Sequence, residues 1–424
     1  MILCWMEKSI SLPNGADTMS RFISRLLSWL YAPFVLIEHV KALWAASRFQ
    51  KQLTITQDNL NGIVNDDIVL FATLYNEAAL LPQFLRHYRQ LGVNHFIFID
   101  NHSTDDSVEL VSNDNDVSIF HTSDSYKSAN FGMHWVNALL RRYGSGRWCV
   151  VCDIDEHLIF HSPDKAAPYS VDTDPPLKSL CQRLEKRHQQ AFYTLMLDMY
   201  PKQHLHTSAQ LFKGEEASLI ESCPYFDQSG FQYTYNKKYL SQMIRGGVRQ
   251  RLLYEQQADK GPALQKIPLI KWQPYFAYLS SMHTVSPRRL NSCFEERETG
   301  ALLHFKFSPG YINKVIQEQT RRQHYDNSSE YTRYQQLLSC AVFYAKDISA
   351  RYQSSEQLSA LGLIKALPRI DSDAQIIPQQ HRQDQEQRQG QDKNQKQVQD
   401  QDQDQEKVAA KLRDNGKAKA IKNG

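Results

Sequence analysis

From residue 68 onward, short apolar runs alternate with amphipathic stretches. "IVLFAT" (68–73) is apolar except for Thr73, the pattern of a short strand covered on both faces. "LLPQFLRHYRQLG" then places Leu81, Phe84, Leu85 and Tyr88 at helical spacing, and Gly92 supplies a C-terminal stop. "HFIFID" (95–100) predicts a second strand. "DDSVELV" predicts a helix capped by Ser103 or Thr104, with Asp105 and Asp106 favourable in its first turn. "VSIFH" (117–121) predicts a third strand, and Phe131, Trp135 and Leu139 mark the face of a further helix. "RWCVVC" (147–152) closes a β-α-β-α-β-α-β run, the sequence form of an open α/β sheet. Another helix (Pro176 to His188) and a strand-like "AFYTLMLDMY" (191–200) extend it. Between about 201 and 370 the pattern mixes short strands, basic loops and late helices, and places motifs without a topology. From about Asp373 the chain turns to Gln/Asp/Lys low complexity, which cannot bury a core and reads as a disordered tail.

Composition adds limits rather than a function. The chain is 41% hydrophobic and 22% charged, enough for a sizeable core, and its 424 residues suggest two domains or one large domain with additions. A net charge of +3 is too small a surplus to point to nucleic acid. Cys149 and Cys152 form C-x-x-C, but strand positions three apart face opposite ways and no second pair completes a metal set. They read as two core cysteines in a reducing cytoplasm. The first 20 residues lack a clean apolar stretch, so no signal peptide is expected. In "RFISRLLSWLYAPFVLIEHVKALW", the uncharged core from Leu26 to Ile37 falls short of the ~20 residues a bilayer requires, and Pro33 interrupts it. Two readings stand level there: a membrane-surface helix anchored by Arg21, Arg25 and Trp29, at the inner face of the cytoplasmic membrane, or a helix packed on the domain.

The chemistry gathers where strands end. In an open α/β sheet, ligands bind beyond the carboxyl ends of the strands. "TLYNE" follows the first strand, "DNHSTD" the second and "DIDE" the fourth, so three strands deliver polar groups to one edge. No P-loop or dinucleotide glycine motif occurs, and "GSG" at 144–146 precedes a strand instead of a helix. With no glycine cradle, a bound diphosphate needs a cation. Asp153 and Asp155 offer the oxygen ligands that suit Mg²⁺ or Mn²⁺.

Taken together, "ATLYNEAALLPQFLRHYRQLGVNHFIFIDNHSTDDS" and "WCVVCDIDEHLIF" resemble the glycosyltransferase family 2 type of GT-A domain, in its bacterial DxDE-containing branch. "AFYTLMLDMY", "GGVRQRLL", "ALLHFKF" and "QHYDNSSEYTRY" are also similar to that branch, and the resemblance covers about residues 66 to 345. It implies a GT-A-type open mixed sheet with helices on both faces. It also implies a nucleotide-sugar-dependent, inverting transferase, with a UDP-sugar favoured as donor and a glycan or lipid hydroxyl as acceptor. Thr73 and Tyr75, in the turn that includes Asn76 and Glu77, would contact base and ribose. Asp100 would accept the base N–H. Asp153 and Asp155 would carry the metal-diphosphate, Asp155 most directly. The chain departs from the family pattern at "TLYNE", where Arg often precedes Asn-Glu, and at His102, where Gly is common.

Further groups follow from the charge that transfer develops, positive on the sugar and negative on the leaving diphosphate. Arg245, Arg249 and Arg251 in "RGGVRQR" are candidate cations, with Gly246 and Gly247 permitting close backbone approach. His304 and Lys306 in "LLHFKF" alternate as in a strand and would share a face opposite Phe305 and Phe307. For the base that takes the acceptor proton, Asp198, Glu221 and Asp227 are candidates, and the resemblance ranks Asp227 first, because its chain distance after the metal motif is similar to that of the base in related enzymes. Two alternatives stand beside the transferase: a nucleotidyltransferase, and a non-catalytic sugar-binding protein. The domain expectation is an N-terminal helical segment (1–65) and a GT-A domain (66–345) with a nucleotide-sugar half (66–160) and an acceptor half (161–345). A helical extension (346–372) and the tail (373–424) complete it.

Overall fold

Nine strands make one mixed sheet, and their order explains why the polar turns meet. The computed structural model describes residues 28–161, 175–204, 218–291, 297–308 and 342–367. All of them fall in one compact unit, Met1–Pro368. The expected tail lies outside the described residues, as does "QHYDNSSEYTRY".

The sheet contains β1 (Thr54–Gln57), β2 (Val69–Leu74), β3 (His95–Asp100), β4 (Val117–His121), β5 (Trp148–Val151), β6 (Glu156–Ile159) and β7 (Ala191–Asp198). Three short strands follow outside it: β8 (Tyr225–Asp227), β9 (Gln232–Asn236) and β10 (Ser241–Arg245). Next come β11 (Gln265–Lys271), the small pair β12 (Ala277–Ser280) and β13 (Thr284–Ser286), β14 (Thr299–His304) and β15 (Ser349–Arg351). The large sheet runs β1-β4-β3-β2-β5-β11-β7-β14-β6. β4, β3, β2 and β5 are parallel neighbours, as the alternating pattern requires. β11 runs antiparallel to both β5 and β7, β14 parallel to β7, and β6 antiparallel to β14. The result is an α/β protein with a large mixed central sheet. The two expected halves of the 66–345 region share this sheet.

The link from β5 to β6 forces the sheet to curl. Only Cys152–Asp155 join two strands that stand four places apart in the order. A flat sheet would separate them by about 19 Å at ~4.8 Å per strand. Five Cα steps reach about 17 Å fully extended, and this segment is a turn, with Glu156 N–H donating to Asp153 O at 3.1 Å. β6 must therefore bend back toward β5. That curl carries the end of β14 and the start of β11 round the "DIDE" turn, and Phe305 N–H reaches Asp155 O at 2.7 Å.

Helices occupy the connections. They are α1 (Ala32–Phe49), α2 (Leu81–Leu91), α3 (Met133–Leu139), α4 (Pro176–Lys186), α5 (Leu219–Ser222), α6 (Gly247–Leu253) and α7 (Ser355–Ala360). α2 buries the expected Leu81, Phe84, Leu85 and Tyr88. It stops at Gly92, whose φ of 97° and near contact with Pro175 exclude a side chain. Cys149 and Cys152 are free and buried, as read.

Three expectations change. "DDSVELV" forms turns and one 3₁₀ segment, Glu109–Val111. Its would-be caps Ser103 and Thr104 are spent on the neighbouring "TLYNE" turn instead. Phe131 stands before α3 with a φ of 55°, outside the helix. The 346–372 stretch is only partly helical, since Ser349–Arg351 pairs with β8. In the N-terminal region, α1 packs through Val35, Ala42, Ala45 and Ala46, while Arg21 and Arg25 lie outside the described residues. No helix among the described residues is long and apolar enough to cross a membrane.

Candidate functional site

The turns after β2 and β3 are stitched together before any ligand arrives. Asn76 is held at φ 54°. Its N–H donates to Ser103 Oγ at 3.1 Å, and its Oδ1 accepts from Thr104 N–H at 2.7 Å. Glu77 N–H donates to Ser107 Oγ at 2.8 Å, and Ala78 N–H to Asp105 Oδ2 at 3.0 Å. The acids and hydroxyls of "DNHSTDDS" thus satisfy the backbone of "TLYNE". Asp100 ends β3 almost fully buried. It accepts from Ser103 N–H at 3.0 Å, and His121 Nδ1 lies 2.9 Å from its other oxygen. A carboxylate has about four acceptor positions, so a further donor can still be taken. Thr73 and Tyr75 are half-buried beside this turn. Gly132, with φ 78°, lets α3 begin hard against Thr73, where a Cβ would stand 2.8 Å from Thr73 Cγ2.

At the "DIDE" turn the curl of the sheet assembles an ionic cluster. Lys266 of β11 reaches Asp153 Oδ2 at 2.8 Å and makes a very short contact with Glu156. His304, the last residue of β14, has Nε2 3.3 Å from Asp155 Oδ2 and Nδ1 2.6 Å from Asp198 Oδ1. Asp198, the last residue of β7, also accepts from Arg249 Nε at 2.7 Å. Four carboxylates from two segments therefore meet two permanent cations and one imidazole. With all four carboxylates ionised and the imidazole neutral the cluster carries a surplus of two negative charges, the charge a divalent cation would balance; a proton on Glu156 or His304 reduces it.

Burial shapes these groups differently. Removal from water pushes the Glu156 carboxyl up to about 7, against the opposing pull of Lys266. Burial works against the Lys266 ammonium, but Asp153 and Glu156 outweigh it and raise its pKa. For Asp198, burial is overcome by Arg249 and His304, which hold it well below the usual carboxylate range. Burial disfavours a charged His304, yet Asp155 and Asp198 raise its pKa overall.

The expected site residues divide into those the fold brings together and those it employs elsewhere. Asp153, Asp155, Asp198, Arg249 and His304 meet at the "DIDE" edge. Asp227 does not join them: it sits in β8, receives the Tyr200 hydroxyl in a very short bond, and is gripped by Arg251 through Nε at 3.1 Å and Nη2 at 3.0 Å. Glu221 closes a capping box with Ser218 at the start of α5, a structural duty. Arg245 ends β10 and donates to Gly261 O at 3.2 Å. The close approach at Gly246 is to the chain itself, since a Cβ there would stand 2.7 Å from Gly230 O. The alternation of His304 with Lys306 fails, because β14 ends at His304 and Lys306 lies in a turn flanked by the buried Phe305 and Phe307.

The contacts add Glu156 and Lys266 to the candidate cluster, and neither stands among the site residues expected from the sequence. Glu156 closes "DIDE" and is the first residue of β6. Lys266 is a lone cation in "QKIPLIK", and only its pairing partners reveal its purpose. A separate cavity of about 370 Å³, lined in part by Tyr193, Tyr233, Thr299 and Lys365, lies at the opposite ends of β7 and β14. Five residues of strand, roughly 16 Å, separate it from Asp198 and His304.

The donor set fits a metal in part as expected. Asp155, Glu156 and His304 offer ligand atoms all within 4.8 Å of one another. Two carboxylate oxygens and one imidazole nitrogen suit Mn²⁺ better than Mg²⁺, which favours oxygen alone. Asp153, expected to share the ion with Asp155, is instead outside that trio and paired with Lys266. In comparisons with known proteins, no family model and no curated protein matches this chain.

Proposed function

We propose that this chain is a metal-dependent glycosyltransferase with a GT-A-type sheet. It moves a sugar from a nucleoside diphosphate donor, a uridine diphosphate sugar favoured, to a hydroxyl of a glycan or lipid acceptor. The observation that carries this reading is the meeting of Asp155, Glu156, His304 and Asp198 at the sheet edge where the β2 and β3 turns also end.

The residues divide the work by position. Thr73, Tyr75 and the Asn76–Glu77 turn line the side where base and ribose lie, and Asp100 accepts a base N–H. Asp155, Glu156 and His304 hold the cation, and a bound Mn²⁺ would offset the negative charge that grows on the leaving diphosphate. Lys266 keeps Asp153 and Glu156 in place between turnovers. Asp198 orients His304 through Nδ1, and Arg249 fixes Asp198 in turn, so Arg249 acts on the site through Asp198. Asp198 and Asp227 are both ion-paired, which makes each a positioning group instead of the base that receives the acceptor proton. A nucleotidyltransferase would require a glycine-rich basic loop after its first strand, and the turn between β2 and α2 has none.

A thermal-shift panel of nucleoside diphosphates, triphosphates and nucleotide sugars, each with and without Mn²⁺, tests the reading. A uridine diphosphate ligand at one hundred times its dissociation constant should add about 2.7 kcal/mol of stability, and Mn²⁺ should strengthen the effect. Asp155→Asn should abolish the Mn²⁺-dependent part while leaving the ligand-free melting temperature no lower, since it removes one of several clustered negative charges. Absence of any shift with every nucleotide, with and without metal, rejects the proposal.

A further inference from the structure

α1 is apolar on two sides, and the described residues cover only one of them. Val35, Ala42 and Ala46, at helical spacing, turn inward. The helix lies along α3 and the turn after it: the Phe49 ring sits 4.9 Å from that of His134 at a 53° tilt, and Arg141 Nη1 donates to Leu43 O at 3.4 Å and Ser47 Oγ at 3.1 Å. Two turns into the helix Glu38 accepts from Lys238 and from the Tyr239 hydroxyl. The opposite side carries Ile37, Val40 and Trp44, again at helical spacing, continued by Phe34 and, just before the helix, by Leu30 and Trp29. Every one of these six is more than half exposed. A surface helix ordinarily turns a polar face outward, so this stripe departs from what water alone would select.

We infer that this face of α1 is a membrane-docking surface that lies in the headgroup region of an anionic lipid bilayer. Three features favour lipid over a protein partner. First, the part of the stripe within α1 runs parallel to the helix axis for about 15 Å from Phe34 to Trp44, at 1.5 Å per residue, so it can lie flat in an interface but is too short to span a bilayer. Second, its large indoles stand at the two ends, Trp29 at one and Trp44 at the other, the placement of interfacial anchors. Third, the charge flanking the stripe is positive: Lys41 and Arg48 border it on one side, and Arg48 lies over the Trp44 ring at 5.7 Å. The one acidic residue of α1, Glu38, is already paired with Lys238 at 2.6 Å. Basic groups beside an apolar stripe match a surface of phosphatidylglycerol or phosphatidylserine headgroups. Docking of this kind does not depend on the chemistry at the sheet edge.

The test is sedimentation of the full chain with vesicles of neutral phosphatidylcholine and with vesicles containing phosphatidylglycerol, alongside light scattering of the free protein. The wild-type chain should sediment with the anionic vesicles, and binding should weaken as salt rises. Phe34→Glu with Ile37→Glu should lower vesicle partitioning by about a hundredfold, because two inserted apolar groups become charges. Both positions are exposed, so the melting temperature should not move. Lys41→Gln with Arg48→Gln should weaken binding to anionic vesicles alone, without touching the apolar stripe. Failure of the wild-type chain to bind either vesicle overturns the inference. So does a wild-type dimer that ignores vesicles and becomes monomeric on Phe34→Glu with Ile37→Glu, which would make a second copy the occupant of this face.

Discussion

Replacing Asp227 with Asn should cost the protein stability and leave nucleotide binding per folded molecule near normal. The carboxylate is almost fully buried. It receives three donors, the Tyr200 hydroxyl and both Nε and Nη2 of Arg251. The Tyr200 oxygen also lies 2.8 Å from Ser349 Oγ, so the same contacts tie the segment that follows β7 to β8 and β15. Asn preserves the shape but turns an NH₂ group toward one of these donors and leaves Arg251 without a counter-charge. Breaking a buried pair on one side costs about 3–5 kcal/mol. Arg251 keeps 23% of its side-chain surface in water, which restores some hydration and favours the lower end, about 3 kcal/mol. For a domain of this size that lowers the melting temperature by roughly 6 °C, at about 2 °C per kcal/mol. Arg251→Met should cost a similar amount, and the double variant should lose about 0.5–3 kcal/mol less than the sum. Thermal and urea unfolding of the four proteins, with a nucleotide titration of each, completes the cycle. An unchanged melting temperature together with lost nucleotide-sugar turnover would refute the structural reading and return Asp227 to the role of base.

Two further outcomes follow from the packing round the site. Burial lowers the His87 imidazole to about 4, even though Nε2 lies 3.1 Å from Leu158 O, an acceptor. Between the ordinary pKa of about 6.5 and that value the unfolded chain binds a proton that the folded chain refuses, so stability falls as pH drops through this window. The loss from this group between about pH 7 and pH 5 should be about 2 kcal/mol, measured by urea unfolding, and His87→Phe should remove that share of the pH dependence. Gly132→Ala should cost about 1–3 kcal/mol through its left-handed φ and push on Thr73, so nucleotide binding should weaken beyond what the stability loss explains; binding equal to wild type would show that Thr73 is not part of the nucleotide surface.

Local sequence determined the parallel half of the fold because its signals act over a few residues. The runs at 68–73, 95–100 and 117–121 can be covered only on both faces, and the spacing of Leu81, Phe84 and Tyr88 allows only one buried helix face. The polar turns after these strands could be placed on one edge from chain order alone. The rest depended on partners far away in sequence. Lys266 is 113 residues from Asp153, and His304 is 106 from Asp198. No periodicity within β11 or β14 reports which carboxylate those side chains will meet. The meeting is decided by the curl that a four-residue link from β5 to β6 imposes, a constraint visible only once the strand order is known. The same applies to Asp227: its distance along the chain suited a catalytic base, but Arg251 and Tyr200 claim its oxygens in space. Around α1 the sequence left a packed helix and a membrane-surface helix level, and only packing against α3 decided that the small-residue face turns inward while the face of Ile37, Val40 and Trp44 stays exposed.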